Sequence, residues 1–125
     1  MRFLILCLAL TFALFAAGIA GTYKGSYSGA ASGDISVTLK QADDGSWKSE
    51  VTFTYDGQDI KTKVTSVSVE GTKVKIVYDF DLDGNSLEST ITGELKGTTL
   101  AGEYHTKATA DGSAVDEGTW KGVAQ

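Results

Sequence analysis

From residue 21 onward, hydrophobic and polar residues alternate along most of the chain. In one stretch Ile35, Val37 and Leu39 are separated by hydroxyl-bearing residues, and the same alternation returns in the segments that follow. A period of two with one polar face is typical of antiparallel strands that bury only their other face. No window longer than one turn shows helical periodicity, so the pattern predicts an all-β domain.

Turn signals divide this domain into short segments. Pairs such as Asp56-Gly57 supply the positive φ angles that tight hairpins need. The other turn signals are 43–46, Glu70-Gly71, Asp83-Gly84, Lys96-Gly97 and Asp111-Gly112. We therefore predict eight strands, near residues 22–28, 33–41, 47–55, 60–69, 73–82, 86–95, 98–108 and 118–124. The alternation changes phase between Val64 and Val67, which predicts a β-bulge near Thr65-Ser66.

The short connections predict a meander in which each strand pairs with the next. Such a sheet has two edges, and pairing its first strand with its last would remove both. The two ends of the domain are alike: Gly21-Thr22-Tyr23-Lys24-Gly25 opens it and Gly118-Thr119-Trp120-Lys121-Gly122 closes it. A sandwich of two four-stranded sheets is the alternative, but it would usually need a long crossover, and the loop around 109–117 is only moderate in length. The favoured fold is an eight-stranded antiparallel up-and-down barrel.

The first twenty residues have a different pattern. Met1-Arg2 provides a positive start, and the run from Phe3 to Ala20 is apolar and uncharged. Small residues, Gly18 and Ala20, precede Gly21, as a secretory cleavage site requires. We predict that residues 1–20 are a cleaved signal peptide and that residues 21–125 form a single domain. An uncleaved membrane anchor is the alternative, because about eighteen apolar residues can just span a bilayer.

Cleavage of this leader would change the composition of the exported domain. The chain has a single cysteine, Cys7, and it lies in the leader. The mature domain therefore has no disulfide, which fits secretion into a bacterial periplasm or medium better than a eukaryotic secretory route. We predict a secreted or periplasmic location.

The motifs at the two ends support a family resemblance. Gly21-x-Tyr23 at the start, Gly118-Thr119-Trp120 at the end and the meander between them resemble the calycin barrels, which include lipocalins, fatty-acid-binding proteins and avidins. The resemblance covers residues 21–125. The chain lacks the terminal helix of lipocalins and the helical lid of fatty-acid-binding proteins, so it is most similar to small secreted bacterial proteins with a lipocalin-like domain. The resemblance implies a barrel that holds a small molecule.

All the aromatic residues of the mature domain fall on the predicted buried face. They are Tyr23, Tyr27, Trp47, Phe53, Tyr55, Tyr78, Phe80, Tyr104 and Trp120. Most carry a hydroxyl or an indole N–H, which needs a hydrogen-bond partner when buried. We interpret these residues as the binding site for a small, largely apolar or aromatic ligand. The alternative is a filled barrel that serves as a structural or protein-interaction domain of the cell envelope, since an eight-stranded barrel can be filled by side chains or hold one small ligand.

Charge and composition exclude several classes of function. A net charge of −5 and a pI near 4.7 argue against nucleic-acid binding, which needs clustered lysine and arginine. The single histidine, His105, falls on the predicted outer face, and no nucleophile elbow or metal-spaced histidine pair occurs. We predict no catalysis and no cofactor. The charged outer face is also the reverse of a transmembrane barrel, so we predict no membrane insertion of the mature domain.

One segment partly matches a calcium-binding loop. Residues 79–84 read Asp-Phe-Asp-Leu-Asp-Gly, like the start of an EF-hand loop. The twelfth position is Thr90, where a bidentate glutamate is needed. Strand alternation already accounts for Asp79 and Asp81 as outward residues, so we predict no metal site.

Overall fold

The structure is a computed structural model that describes residues 18–125 as one antiparallel sheet of nine strands. The strands are β1 (Gly21–Ser28), β2 (Ser32–Gln41), β3 (Trp47–Tyr55), β4 (Gln58–Lys61), β5 (Lys63–Glu70), β6 (Lys73–Leu82), β7 (Asn85–Lys96), β8 (Thr99–Ala108) and β9 (Ala114–Ala124). The first and last strands pair, from Tyr23 opposite Ala124 to Ser28 opposite Thr119, as predicted. The sheet is therefore an up-and-down barrel. Most of the predicted signal peptide, residues 1–17, lies outside the described residues.

The prediction of eight strands is wrong at the strand placed over residues 60–69. That segment forms two strands with Thr62 between them: β4 pairs back with β3, and β5 pairs forward with β6. The Thr62 side-chain hydroxyl donates a 2.5 Å hydrogen bond to the Val51 carbonyl. Because β4 pairs only with β3 and β5 pairs only with β6, these two strands form the two edges of the sheet. The barrel is therefore nearly closed rather than fully closed.

The predicted bulge and hairpin turns are confirmed. The β5–β6 register shifts between Val64 and Ser66. At the β3–β4 turn Asp56 and Gly57 have φ angles of 52° and 78°, the left-handed pair that a two-residue hairpin requires. Asp83-Gly84 repeats this geometry at the β6–β7 turn. Local residue choice therefore sets the positions of these hairpins.

The barrel has two ends that differ in their connections. The upper end carries the β1–β2, β3–β4, β6–β7 and β8–β9 connections, and the lower end carries the remaining hairpins together with Ile19 and Gln125. From the middle of the barrel downward the interior is filled by aliphatic side chains, of which five are 0% exposed: Val37, Leu39, Ile76, Ile91 and Leu100. We call this packed region the lower half.

The lower half also contains Trp120, for which Gly93 makes room. Gly93 and Gly102 face each other across β7 and β8, and a Cβ on Gly93 would lie 2.9 Å from the Trp120 ring. The indole N–H of Trp120 donates a 3.0 Å hydrogen bond to the Thr92 carbonyl. Glycine within these strands therefore permits a large ring to pack flat against the sheet. Within residues 18–125, no helix has the length and apolarity needed to cross a membrane.

Candidate functional site

The upper half of the barrel contains a cavity of about 250 Å³. Six of the nine aromatic residues predicted from the sequence line it: Tyr27, Phe53, Tyr55, Tyr78, Phe80 and Tyr104. Aliphatic side chains, including Ile35 and Leu87, complete the wall, and Val115, 49% exposed, lies at the rim. The strands place these residues together because each side chain points inward near the upper end of its strand.

The other three predicted aromatic residues do not line the cavity. Tyr23 and Trp120 are almost fully buried in the lower half, and Trp47, half-buried, starts β3 at the lower end. The Tyr23 hydroxyl donates a 2.7 Å hydrogen bond to the Ile19 carbonyl. The inward face predicted from alternation is thus divided between a packed core and a cavity wall.

The rings around the cavity contact one another edge to face. Ring centroids lie 5.7 Å apart for Tyr104 and Tyr27, 5.7 Å for Tyr27 and Phe53, and 4.9 Å for Phe53 and Phe80, each pair nearly perpendicular. Tyr78 packs beside Phe80 at 6.0 Å. This arrangement is favoured by the ring quadrupoles and makes a wall that is set before any ligand arrives.

Two tyrosine protons and one proton of a serine–threonine pair in the cavity wall are donated to other groups of the protein. Tyr27 donates to the Thr54 carbonyl at 2.5 Å, and Tyr104 donates to Asp116 Oδ2 at 2.9 Å. The Ser89 and Thr106 hydroxyls share a 2.5 Å hydrogen bond. Each tyrosine oxygen keeps lone pairs for a further interaction, so the wall presents more acceptors than donors.

Three tyrosines of the wall, Tyr27, Tyr78 and Tyr104, have a raised pKa and stay neutral at physiological pH. Burial raises the pKa of Tyr78 to about 12, although the neighbouring Ser89 hydroxyl opposes the shift. Burial is also the largest cause that raises the pKa of Tyr27 and of Tyr104, and the charge of Asp116 adds to both shifts. The environment of the cavity therefore disfavours negative charge.

Asp116, at the start of β9, is a site residue that the sequence analysis did not identify. Its Oδ1 accepts a 2.8 Å hydrogen bond from the Ala30 amide, and its Oδ2 accepts bonds from the Ala31 amide at 3.4 Å and from Tyr104. These bonds fix the β1–β2 loop over the upper end. No local signal marks Asp116, because its position depends on the shifted pairing of β8 with β9.

Ser89 and Thr106 were also missed, although the pattern contains them. Ser89 lies two residues after Leu87, and Thr106 lies two residues after Tyr104, so each continues an inward phase. Both are buried, at 2% and 8% exposure. Extending the alternation to hydroxyl residues would have placed them on the cavity wall.

Titratable side chains on the outer face form simple surface pairs. His105 is largely exposed and its Nδ1 lies 3.3 Å from Glu117 Oε2, while Lys107 lies 3.4 Å from Glu88. In the calcium-like segment, Asp81 accepts a 3.0 Å hydrogen bond from Ser86. Across the described part of the chain, no three histidine, cysteine or carboxylate side chains are grouped closely enough to hold a metal ion.

Comparison of the chain with protein-family models, curated proteins and solved structures finds no match. Its functional interpretation therefore depends on the chemistry of the cavity.

Proposed function

We propose that this chain is an exported, non-catalytic binding protein of the lipocalin-like type, which takes a small, largely apolar ligand into the upper half of its barrel. The observation that carries the proposal is the cavity of about 250 Å³, walled by aromatic and aliphatic side chains. Ligand sites in proteins are typically apolar hollows with a few placed polar groups. Eight-stranded barrels are just wide enough for one small ligand, and a nearly closed sheet of this size has similar room.

The size and lining of the cavity limit the ligand. Typical drug-sized ligands occupy pockets of roughly 300–1,000 Å³, so this cavity suits a molecule no larger than a substituted single ring. The rings of Tyr27, Phe53 and Phe80 offer apolar contact, and the Tyr78 and Ser89 hydroxyls offer polar contact deep in the wall. A small aromatic or branched aliphatic body with one polar group fits this lining.

Binding without catalysis is supported by the roles of the charged groups. The Asp116 carboxylate is occupied in holding the β1–β2 loop. His105 lies outside the barrel, beside Glu117. A reacting ligand would need an acid, a base or a nucleophile directed at it, and the cavity wall consists mainly of rings, aliphatic groups and neutral hydroxyls.

The direct test is native mass spectrometry of the protein purified from the organism that makes it. We expect a complex whose mass exceeds that of the chain by one small molecule. The matched control is Ile35→Phe expressed in the same organism, because the added ring fills part of the cavity and should remove the extra mass. A natural protein that carries no small molecule, and takes up none from an extract of the same cells, would contradict the proposal.

The filled-core envelope domain remains the second candidate. It is favoured by the packed lower half and by the exposed side chains of Val115 and Val123, 49% and 46% exposed. It predicts that the purified protein carries no adduct and that an envelope protein co-purifies with it. Mass spectrometry of the natural protein therefore distinguishes the two candidates.

A further inference from the structure

The charge in the cavity wall is negative. Among the described residues, its lining includes the carboxylate of Asp116 and no lysine, arginine or histidine. We propose that the cavity is selective for a small organic cation, an amine carried on an apolar body, over neutral and anionic molecules of the same shape. This inference rests on the proposed binding function and adds the charge of the ligand to it.

The electrostatic environment of the cavity favours a cation. An anionic ligand would lie near the partly buried carboxylate of Asp116, with no cationic side chain in the described lining to offset its charge. A cation in the same place would be attracted to that carboxylate. The negative charge of Asp116 also acts on the neighbouring tyrosines, because it adds to the effect of burial in raising the pKa of both Tyr27 and Tyr104.

The hydrogen bonds of the cavity wall also favour a cation. The Tyr27 and Tyr104 protons are given to Thr54 and Asp116, so their oxygens face a ligand as acceptors. The hydrogen bond between the Ser89 and Thr106 hydroxyls uses one of the two protons that this pair carries. An ammonium group, which has only donors, matches the acceptor oxygens of Tyr27 and Tyr104, whereas a carboxylate would receive no hydrogen bond from these two hydroxyls.

The aromatic rings of the cavity wall favour a cation as well. Five of them form a connected set around the cavity, with centroid separations between 4.9 and 6.4 Å. The quadrupole of an aromatic ring attracts a cation placed near its face. Rings, acceptor oxygens and one carboxylate therefore all favour the same sign of ligand charge.

The test compares three probes of similar shape: benzylammonium, benzyl alcohol and benzoate. Dissociation constants for the full chain are measured by calorimetry at low ionic strength. We expect benzylammonium to bind at least about tenfold more tightly than benzyl alcohol, which is the scale of one cation–π contact with a nearby carboxylate. We expect benzoate to bind most weakly.

A charge-removing pair of variants identifies the carboxylate responsible. Asp116→Asn keeps an acceptor oxygen for the Ala30 amide and should weaken benzylammonium about tenfold more than it weakens benzyl alcohol. Glu103→Gln is the matched control, because it removes the same charge from the exposed outer face of β8, beside Tyr104. It should leave the affinities of all three probes unchanged.

The outcomes separate this inference from the proposed function. If benzyl alcohol or benzoate binds as tightly as benzylammonium, the charge preference is wrong and the binding function stands. If none of the three probes binds, both the preference and the binding function are contradicted. Should Asp116→Asn fail to fold, the order of the three probes on the unaltered chain still decides.

A second, independent observation concerns Ile19, which lies within the predicted leader. Its side chain is 4% exposed, packed into the core at the lower end of the barrel. Its carbonyl accepts the hydrogen bond of the Tyr23 hydroxyl at 2.7 Å, and Tyr23 is itself 2% exposed. We infer that, if the chain is exported as proposed, the leader is cut between Gly18 and Ile19 rather than before Gly21.

The sequence permits both cleavage positions. Ala16 and Gly18 stand third-last and last before Ile19, just as Gly18 and Ala20 do before Gly21. Small residues at these two places are what a secretory cleavage site requires. Cutting before Gly21 would remove a buried isoleucine and leave the Tyr23 hydroxyl without this acceptor in the core, which makes the earlier cut the one that preserves the fold.

Two variants that block one site each provide the test. The full chain is expressed in a bacterium that exports it, and the intact mass of the exported protein is measured. We expect a mature chain that begins at Ile19, blocked by Ala16→Leu and unaffected by Ala20→Leu. A chain that begins at Gly21 would overturn the inference and leave export standing. Exported protein that retains residues 1–18 would contradict both.

Discussion

The two halves of this barrel are built from the same strands, yet one is packed and the other is hollow. In the lower half Val37, Ile76 and Ile91 are 0% exposed, and aliphatic side chains fill the interior. In the upper half larger rings surround a cavity of about 250 Å³. Large rings line the void, and Tyr23 and Trp120 also place large rings in the filled half, so side-chain volume alone does not decide which half is filled.

What keeps the upper half open is the way its rings are held. Tyr27 and Tyr104 are bonded through their hydroxyls to Thr54 and Asp116, and Phe53 is held between the edges and faces of its neighbours. A tyrosine ring fixed at both its edge and its hydroxyl cannot turn into the void without losing a partly buried hydrogen bond, which contributes about 0.5–1.5 kcal/mol. Aliphatic side chains have no such restraint and close around one another.

The largest difference between the halves should appear when an isoleucine is shortened. Ile76→Ala in the lower half should lower the free energy of unfolding by about 4 kcal/mol, since it leaves a new cavity in a packed core. Ile35→Ala in the cavity wall should cost about half as much, because one side of Ile35 already lacks partner atoms. Urea unfolding measures both. Equal losses would mean that the upper half is packed as tightly as the lower.

High pH should weaken the fold through the upper half. The folded-state pKa of Tyr78, about 12, lies above its ordinary value of 10.0, so its contribution is fully present below pH 10 and is lost as the pH rises through about 12. The loss should reach about 3 kcal/mol for this residue. Urea unfolding at several pH values measures it, with Tyr78→Phe as the control that flattens the fall. An unchanged pH profile in that variant would show that Tyr78 is not the group responsible.

Replacing an isoleucine with the larger phenylalanine should also destabilise the lower half more than the upper half, but by a smaller amount. Ile91→Phe adds a ring to the packed lower half and should lower the free energy of unfolding by about 2 kcal/mol. Ile35→Phe places the added volume in the cavity and should change it by less than about 0.5 kcal/mol. Thermal unfolding of the two variants compares them. A large loss for Ile35→Phe would contradict an open cavity beside that residue.

Much of the fold follows from local pattern. Most strand positions, the bulge beside Thr65 and the turns at Asp56-Gly57 and Asp83-Gly84 were predicted, because alternation and positive φ are properties of neighbouring residues. The last strand was predicted too short, since β9 begins at Ala114 and not at Gly118. The break at Thr62 was not predicted. It is one residue long, and it exists because β4 and β5 pair with different strands, which is a property of the whole sheet.

The cavity was predicted only in part, for a similar reason. Tyr23 and Tyr27 lie on one strand with the same inward phase, yet Tyr27 lines the cavity and Tyr23 lies in the packed half. Alternation predicts on which face of a strand a side chain lies. It does not predict how far along the barrel axis that side chain lies, because this depends on the register between strands. Asp116 could not be found for the same reason, since it meets Ala30 and Tyr104 only after β9 has paired with β1 and β8.

The central claim is that a small molecule binds in the upper half of the barrel and nowhere else in it. NMR titration of the chain with benzyl alcohol tests this claim directly, because the aromatic signals of Tyr27 and Tyr104 report on the upper half and the indole N–H of Trp120 reports on the lower. We predict saturable shifts of the two tyrosines with an unchanged Trp120 signal. Tyrosine signals that do not move, or a Trp120 signal that moves together with them, would contradict the account.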